Sequence, residues 1–209
     1  TDVRLDDQAR PAFTLVIEDL SVPVFLRYHG RHFVSNALIA AGIAYSLGVN
    51  IETIAMALRA ATPASKWRME VHQLPRGITM INDAYNANPE SVRAAIDTLT
   101  AMAAGRRTWI VLGEMRELGA RSEAEHTTIG AYAAENGVDE LMCIGEGARP
   151  ALLGVSEGAA TNTTWFADLS GAIIALESGL APGDVVLIKA SRSIGLDVVA
   201  SALMQLGAA

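Results

Sequence analysis

A single cysteine, Cys143, is all the thiol chemistry in this 209-residue chain. No disulfide can form within it, and a reducing compartment, the cytoplasm, is the simplest expectation. The setting ELMCIG reads as a buried strand, where a thiol is inert. No run of about 18 uninterrupted apolar residues occurs, which leaves no candidate for a membrane-spanning helix. The opening TDVRLDDQARP has neither the basic start nor the apolar run of a secretory leader, and it reads as the middle of a larger fold. Three chemical signatures are missing as well: a G-x-x-x-x-G-K-[ST] phosphate loop, a Cys/His cluster at metal-ligand spacing, and a G-x-S-x-G nucleophile elbow.

The chain has other material in plenty. Hydrophobic residues make up 51% of it, enough for a buried core and too much for intrinsic disorder. The net charge of −7 argues against nucleic acid as a partner. An anionic small ligand stays possible, because a local basic cluster or a helix N-terminus can hold one.

Two β-type runs, AFTLVIED and VPVFLR, come first and suggest an antiparallel pair. The segment GRHFVSNALIAAGIAYSLGV carries apolar residues at helical spacing and ends at Gly48. A second helix follows Asn50, a suitable N-cap, and Thr62-Pro63 stops it, since proline disfavours helical geometry in the residue before it. That makes 1–63 and 64–209 the expected domains. After the boundary, WRMEVHQL and GITMIND read as a hairpin turned by Pro75-Arg76-Gly77. Helix and strand then alternate: helix Pro89–Ala103, strand RTWIVLG, helix 122–136, strand ELMCIG, a short helix near 146–153, TTWFA, helix 169–178, DVVLIKA and a last helix. Ser122 and Glu125 have capping-box spacing, and Asp168 can cap the helix after it. Strands such as VVLIKA are continuously apolar, as strands covered on both faces should be. The fold class predicted is α/β: a Rossmann-like, mainly parallel sheet of about four strands plus the hairpin, with flanking helices.

In such a sheet, ligands collect where the parallel strands end. Four loops therefore carry the chemistry: NDAYNANP, GEMRELGARS, GEGARP and KASRSIG. In the last, Lys189 and Arg192 can hold a carboxylate or phosphate, while Ser191 or Ser193 could simply cap the final helix. Glu114 and Glu117 beside Arg116 could bind an ammonium group or be solvated loop charges. Asp83 can accept hydrogen bonds from a ribose or contribute to a cation site, Tyr85 can stack, and Asn86 and Asn88 offer amides, though Asn88 also suits an N-cap before Pro89. His32 and Asn36 lie four apart near a helix start and face one side, with a satisfied core pair as the plain account. His126, one turn into its helix, reads as structural.

The ordered segments GRHFVSNALIAAGIA, WRMEV, NDAYNANPESVRAA, LGEMRELG, SEAEHTTIG and KASRSIGLD resemble the Mur ligase family along essentially the whole chain. The Tyr-Asn-Ala-Asn-Pro sequence resembles the branch that adds D-alanyl-D-alanine to a UDP-N-acetylmuramoyl-tripeptide in making peptidoglycan precursors. The resemblance implies that residues 1–63 are the α+β tail of a central ATPase domain and 64–209 the third, Rossmann-like domain. The N-terminal domain, most of the central one, its phosphate loop and its Mg2+ ligands would then lie upstream. It implies ATP-driven amide formation through an acyl phosphate, and a chain that is inactive alone. By motif position, Asn36 would contact adenine with His32 beside it, although Phe33 stands where many members have a second asparagine. Arg68 would reach toward the ATP phosphates, Asp83 lie near the ribose, and Tyr85 and Asn86 line that cleft. Lys189, Ser191 and Arg192, with Asn88, Glu117 and Leu118, would receive the dipeptide; Arg68 and Lys189 are the catalytic candidates. Two other readings stand beside it: a noncatalytic α/β module that binds a small anion or partner, and a related ligase with another acceptor.

Overall fold

A computed structural model describes residues 1–205 and divides the chain into two compact units that meet in sequence at Ala64 and Ser65. In the first unit, strands β1 (Arg4–Leu5), β2 (Pro11–Ile17) and β3 (Leu20–Phe25) form an antiparallel sheet in chain order. Every second residue of β2 turns inward, so Phe13 and Leu15 meet Val24 and Leu26 in the core. Helices α1 (Phe33–Ser46) and α2 (Ile51–Ala60) close that core with Val34, Ala37, Ala41, Ile51 and Ile54. The Asn50 side chain accepts from Thr53 N–H at 2.8 Å, the cap that the sequence suggests. The expected strand pair gains a third member, the two-residue β1. One side of α1 is apolar and exposed among the described residues at Leu38, Ile39 and Ile43, as is Leu47 just after it.

The second unit opens with a hairpin, β4 (Glu70–Gln73) and β5 (Thr79–Asp83), joined through Pro75–Gly77. Strand β4 starts later than the sequence suggests, because Trp67 and Met69 take left-handed φ values of 59° and 50° and cannot extend a strand. Then come α3 (Pro89–Ala103), β6 (Thr108–Leu112), α4 (Ser122–Glu135), β7 (Glu140–Ile144), a 3₁₀ segment (Glu146–Gly154), β8 (Asn162–Phe166), α5 (Leu169–Gly179), β9 (Val185–Lys189) and α6 (Asp197–Gln205). The six-stranded sheet runs β4-β5-β9-β6-β7-β8, and every neighbouring pair except β4–β5 is parallel. All five residues of β5, β6, β7 and β9 are buried, which is why β6, β7 and β9 read as apolar runs broken only at one end, while β5 buries the polar Thr79, Asn82 and Asp83 as well. The edge strand β8 is polar and exposed over Asn162–Thr164.

The order carries a reversal. From β5 the chain passes the place of β9 to reach β6, steps outward through β7 and β8, and returns through α5 to insert β9. Crossovers of one hand running in opposite directions put their helices on opposite faces. Helices α5 and α6 accordingly share a core with Trp109, Val111, Met142, Val186 and Ile188, while α3 packs against α4. A reversal of this kind opens a crevice at the carboxyl ends of β5, β9 and β6. No described helix is long and apolar enough to cross a membrane.

Candidate functional site

Asp83 ends β5 and Lys189 ends β9, directly opposite in register. Lys189 is 1% exposed and Asp83 8%, so each charge needs the other. Lys189 Nζ donates to Asp83 Oδ2 and, at 2.9 Å, to the Asn86 carbonyl. The second carboxylate oxygen, Asp83 Oδ1, accepts from Met69 N–H at 3.0 Å. A further bond runs from Tyr85 N–H to the Trp67 carbonyl, also 3.0 Å. Segment 67–69 is thereby tied to the loop after β5, and these bonds hold the left-handed residues on either side of Arg68. The Arg68 guanidinium is exposed and lies 4.2 Å from the Tyr85 ring centroid; Arg192 stands 5.4 Å from the same ring and 5.8 Å from Trp67.

The loop after β6 forms the next wall. Gly113 N–H bonds to the Lys189 carbonyl at 2.9 Å, and Ser191 N–H to the Glu114 carbonyl at 3.1 Å. Gly113 allows this approach: a Cβ there would stand 2.7 Å from the Ala190 Cβ. Arg116 N–H donates to Ser191 Oγ at 2.9 Å, and Met115 N–H to His126 Nε2 at 2.9 Å. The loops after β5, β6 and β9 enclose an open hollow of about 930 Å³ lined by Asn86, Ala87, Asn88, Arg116, Glu117, Leu118, Ser191, Arg192 and Ser193. Two arginines face one glutamate in it, so the hollow favours an anion. Glu114 lies 3.4 Å from Arg116 Nε and offsets part of that charge.

Of the residues singled out from the sequence, Asn86, Asn88, Glu117, Leu118, Ser191 and Arg192 line this hollow, and Asn88 also caps α3 in a reciprocal box with Ser91. Lys189 and Asp83 do not line it; they lie buried at the ends of β9 and β5, bonded to each other and to the surrounding backbone. Arg68 and Tyr85 form the neighbouring cation–aromatic group. His32 and Asn36 belong to the first unit, where His32 precedes α1 with its ring 4.4 Å from Phe33 and Asn36 is exposed. Neither Ser191 nor Ser193 caps the final helix; the Ser191 hydroxyl holds the β6 loop instead. Arg116 and Ser193 are lining residues that the sequence did not single out as ligands. Arg116 had a signal, its place between Glu114 and Glu117, but nothing in the sequence told which side chain of that loop turns inward. Burial pushes the Cys143 thiol up to about 12, so it stays protonated and unreactive. Among the described residues no three His, Cys, Asp or Glu side chains gather as a cation site.

A mainly parallel sheet that reverses direction, with an arginine-lined hollow at its strand ends, defines an open α/β domain of the Rossmann-like class. The family described as "Mur ligase, glutamate ligase domain" matches residues 67–192, from the strained segment beside Arg68 to Arg192 itself, and the chain belongs to the Mur ligase family. It is 42% identical to the UDP-N-acetylmuramoyl-tripeptide–D-alanyl-D-alanine ligase of Mycobacterium tuberculosis (strain CDC 1551 / Oshkosh), over 97% of this chain and 43% of that protein. With the same ligase of Escherichia coli (strain K12) the identity is 35%, over 93% of this chain and 42% of the relative. The crystal structure of MurF from Acinetobacter baumannii superposes with a TM-score of 0.86 at 30% identity, covering 98% of this chain and 44% of that one. The chain thus spans less than half the length of the relatives it matches.

Proposed function

We propose that this chain is part of an ATP-dependent ligase that joins D-alanyl-D-alanine to a UDP-N-acetylmuramoyl-tripeptide, and that the hollow receives the dipeptide. One observation carries the reading: the hollow joins Arg192 and Arg116 to Glu117, Asn88 and Ser191 at the reversal of the sheet. A zwitterionic dipeptide needs a cation for its carboxylate, an acceptor for its ammonium group and amides or hydroxyls along its peptide bond. Arg192 supplies the first, and its planar fork can hold a carboxylate through two hydrogen bonds. Glu117 supplies the second, Asn88 and Ser191 the third, and Leu118 an apolar contact for a methyl group.

Residues 1–63 are proposed as the tail of the family's central domain and 64–209 as its third domain. Arg68, stacked on Tyr85, fits a phosphate oxygen, and Asn86 is exposed beside it. His32 and Asn36 are the proposed adenine contacts of the first domain. Asp83 has both carboxylate oxygens engaged within the chain, so any ribose contact adds to its bonds with Lys189 and Met69. ATP supplies the phosphoryl group that activates the tripeptide carboxylate as an acyl phosphate; the dipeptide amine then displaces phosphate and forms the amide. The residues of this chain orient the amine and hold positive charge near the oxygens where negative charge develops, Arg68 directly and Lys189 through the loop it fixes. The described residues offer no donor set for Mg2+, and its ligands are assigned to the rest of the protein.

The test is Arg192→Ala in the complete protein. Loss of a charged hydrogen-bonding partner, worth about 1.5–3 kcal/mol, should raise the KM for D-alanyl-D-alanine by roughly 10- to 100-fold. The KM for ATP should hold. Unchanged dipeptide kinetics would remove Arg192 from the pocket, and preference for a single amino acid would assign the hollow to another acceptor.

A further inference from the structure

His126 is fully buried in α4 and does not line the hollow, yet its ring is bonded to the loop that forms one wall. Its partners fix the tautomer. An amide N–H can only donate, and that of Met115 lies 2.9 Å from Nε2; a carbonyl can only accept, and that of Ser122 lies 2.7 Å from Nδ1. The proton therefore sits on Nδ1, and Nε2 is left as an acceptor. The next amide, Arg116 N–H, is held by Ser191 Oγ. Two successive amides of one wall are thus fastened to two side chains, Ser191 in the hollow and His126 outside it. One residue further on, Glu117 stands at φ 68°, a left-handed conformation that a non-glycine residue keeps only when its surroundings hold it there. A ligand that engages Ser191 competes for one fastening. The other is out of its reach.

We propose that His126 is a positioning residue for the hollow: by accepting from Met115 N–H it sets where Arg116, Glu117 and Leu118 stand, and so sets affinity for the acceptor without touching it. This role rests on the hollow being the dipeptide site. Two variants separate it from plain core packing. His126→Leu fills the space but leaves the Met115 amide buried without an acceptor, whereas His126→Gln offers an amide oxygen in the region of Nε2.

In the complete protein, the Leu variant should raise the KM for D-alanyl-D-alanine roughly tenfold with the KM for ATP unchanged, the size expected for one stranded buried donor. The Gln variant should recover most of that loss. In the 209-residue chain, hydrogen exchange at the Met115 amide should quicken in the Leu variant and stay slow in the Gln variant. Equal acceptor KM values for Leu and Gln, or a parallel rise in both KM values, would overturn the role. Should the Leu variant fail to fold, the Gln variant decides: a near-native acceptor KM with a protected Met115 amide supports the role, and loss of either rejects it. A wild-type protein that does not use the dipeptide sinks the ligase reading instead, and the Met115 exchange comparison still decides whether His126 holds the wall.

Discussion

Burying a lysine costs several kcal/mol unless an anion meets it, and Lys189 is met by the Asp83 carboxylate and by the Asn86 carbonyl. The arrangement gives one side chain two duties. It joins the carboxyl ends of β5 and β9, and it fixes the backbone from which Asn86 and Asn88 enter the hollow. Asp83 extends the same framework to Met69 and so to the segment that carries Arg68. We expect Lys189→Met to destabilise the second unit by about 3–5 kcal/mol, because the Asp83 charge would remain buried with a single amide for company. The double variant Asp83→Asn/Lys189→Met should regain part of that loss, since no unpaired charge would be left. All three tryptophans, Trp67, Trp109 and Trp165, lie in this unit, so urea unfolding followed by tryptophan fluorescence reads it alone. A single-variant loss below about 1 kcal/mol would show a pair behaving like an exposed one.

At the scale of elements, α4 and the 3₁₀ segment 146–154 approach so closely that two glycines are required. A Cβ on Gly130 would lie 1.7 Å from the Ala151 carbonyl oxygen, and one on Gly154 would lie 1.9 Å from that of Thr127. Alanine is favoured over glycine inside a helix by about 1 kcal/mol, yet here backbone blocks backbone and neither can rotate away. Gly130→Ala should therefore destabilise by about 1–3 kcal/mol net, as overpacked cores do; an equal or higher urea midpoint would contradict this. Local chemistry of this grade was partly legible. Asn50, Asn88 and Asp168 cap the helices that follow them, because a cap depends on residues three apart. The capping box read at Ser122 and Glu125 does not form: a 3₁₀ turn at Gly119–Arg121 runs straight into α4, so Ser122 is already helical and its carbonyl serves His126. The insertion of β9 between β5 and β6 could not be read, nor could the Lys189–Asp83 pair across 106 residues, since both depend on packing that no short window contains. The loops that converge at the strand ends were legible as a group. Which of their side chains face inward, Arg116 above all, was not.

Taken whole, the chain holds the hollow proposed for the acceptor within its second unit but spans only about 43% of the mycobacterial ligase it resembles, and it contains no phosphate loop. That division has an energetic consequence. Phosphoryl transfer requires the terminal phosphates to be cradled, neutralised and aligned with the attacking oxygen, work that loops, metal ions and fixed cations share. Enzymes lower such barriers by roughly 8–23 kcal/mol. A single guanidinium such as Arg68, exposed and screened by salt, supplies of order 1.5–3 kcal/mol at best. The shortfall is too large for the remaining side chains of the hollow to close, since on the proposed reading they serve the other reactant. We therefore expect the purified 209-residue chain, given ATP, Mg2+, the UDP-linked tripeptide and D-alanyl-D-alanine together, to release phosphate no faster than a protein-free control. A colorimetric phosphate assay checks this, with the complete protein as the positive arm. Release well above background that disappears on Arg68→Ala would mean that the second unit activates the nucleotide unaided, and the assignment of that step to the rest of the protein would fall.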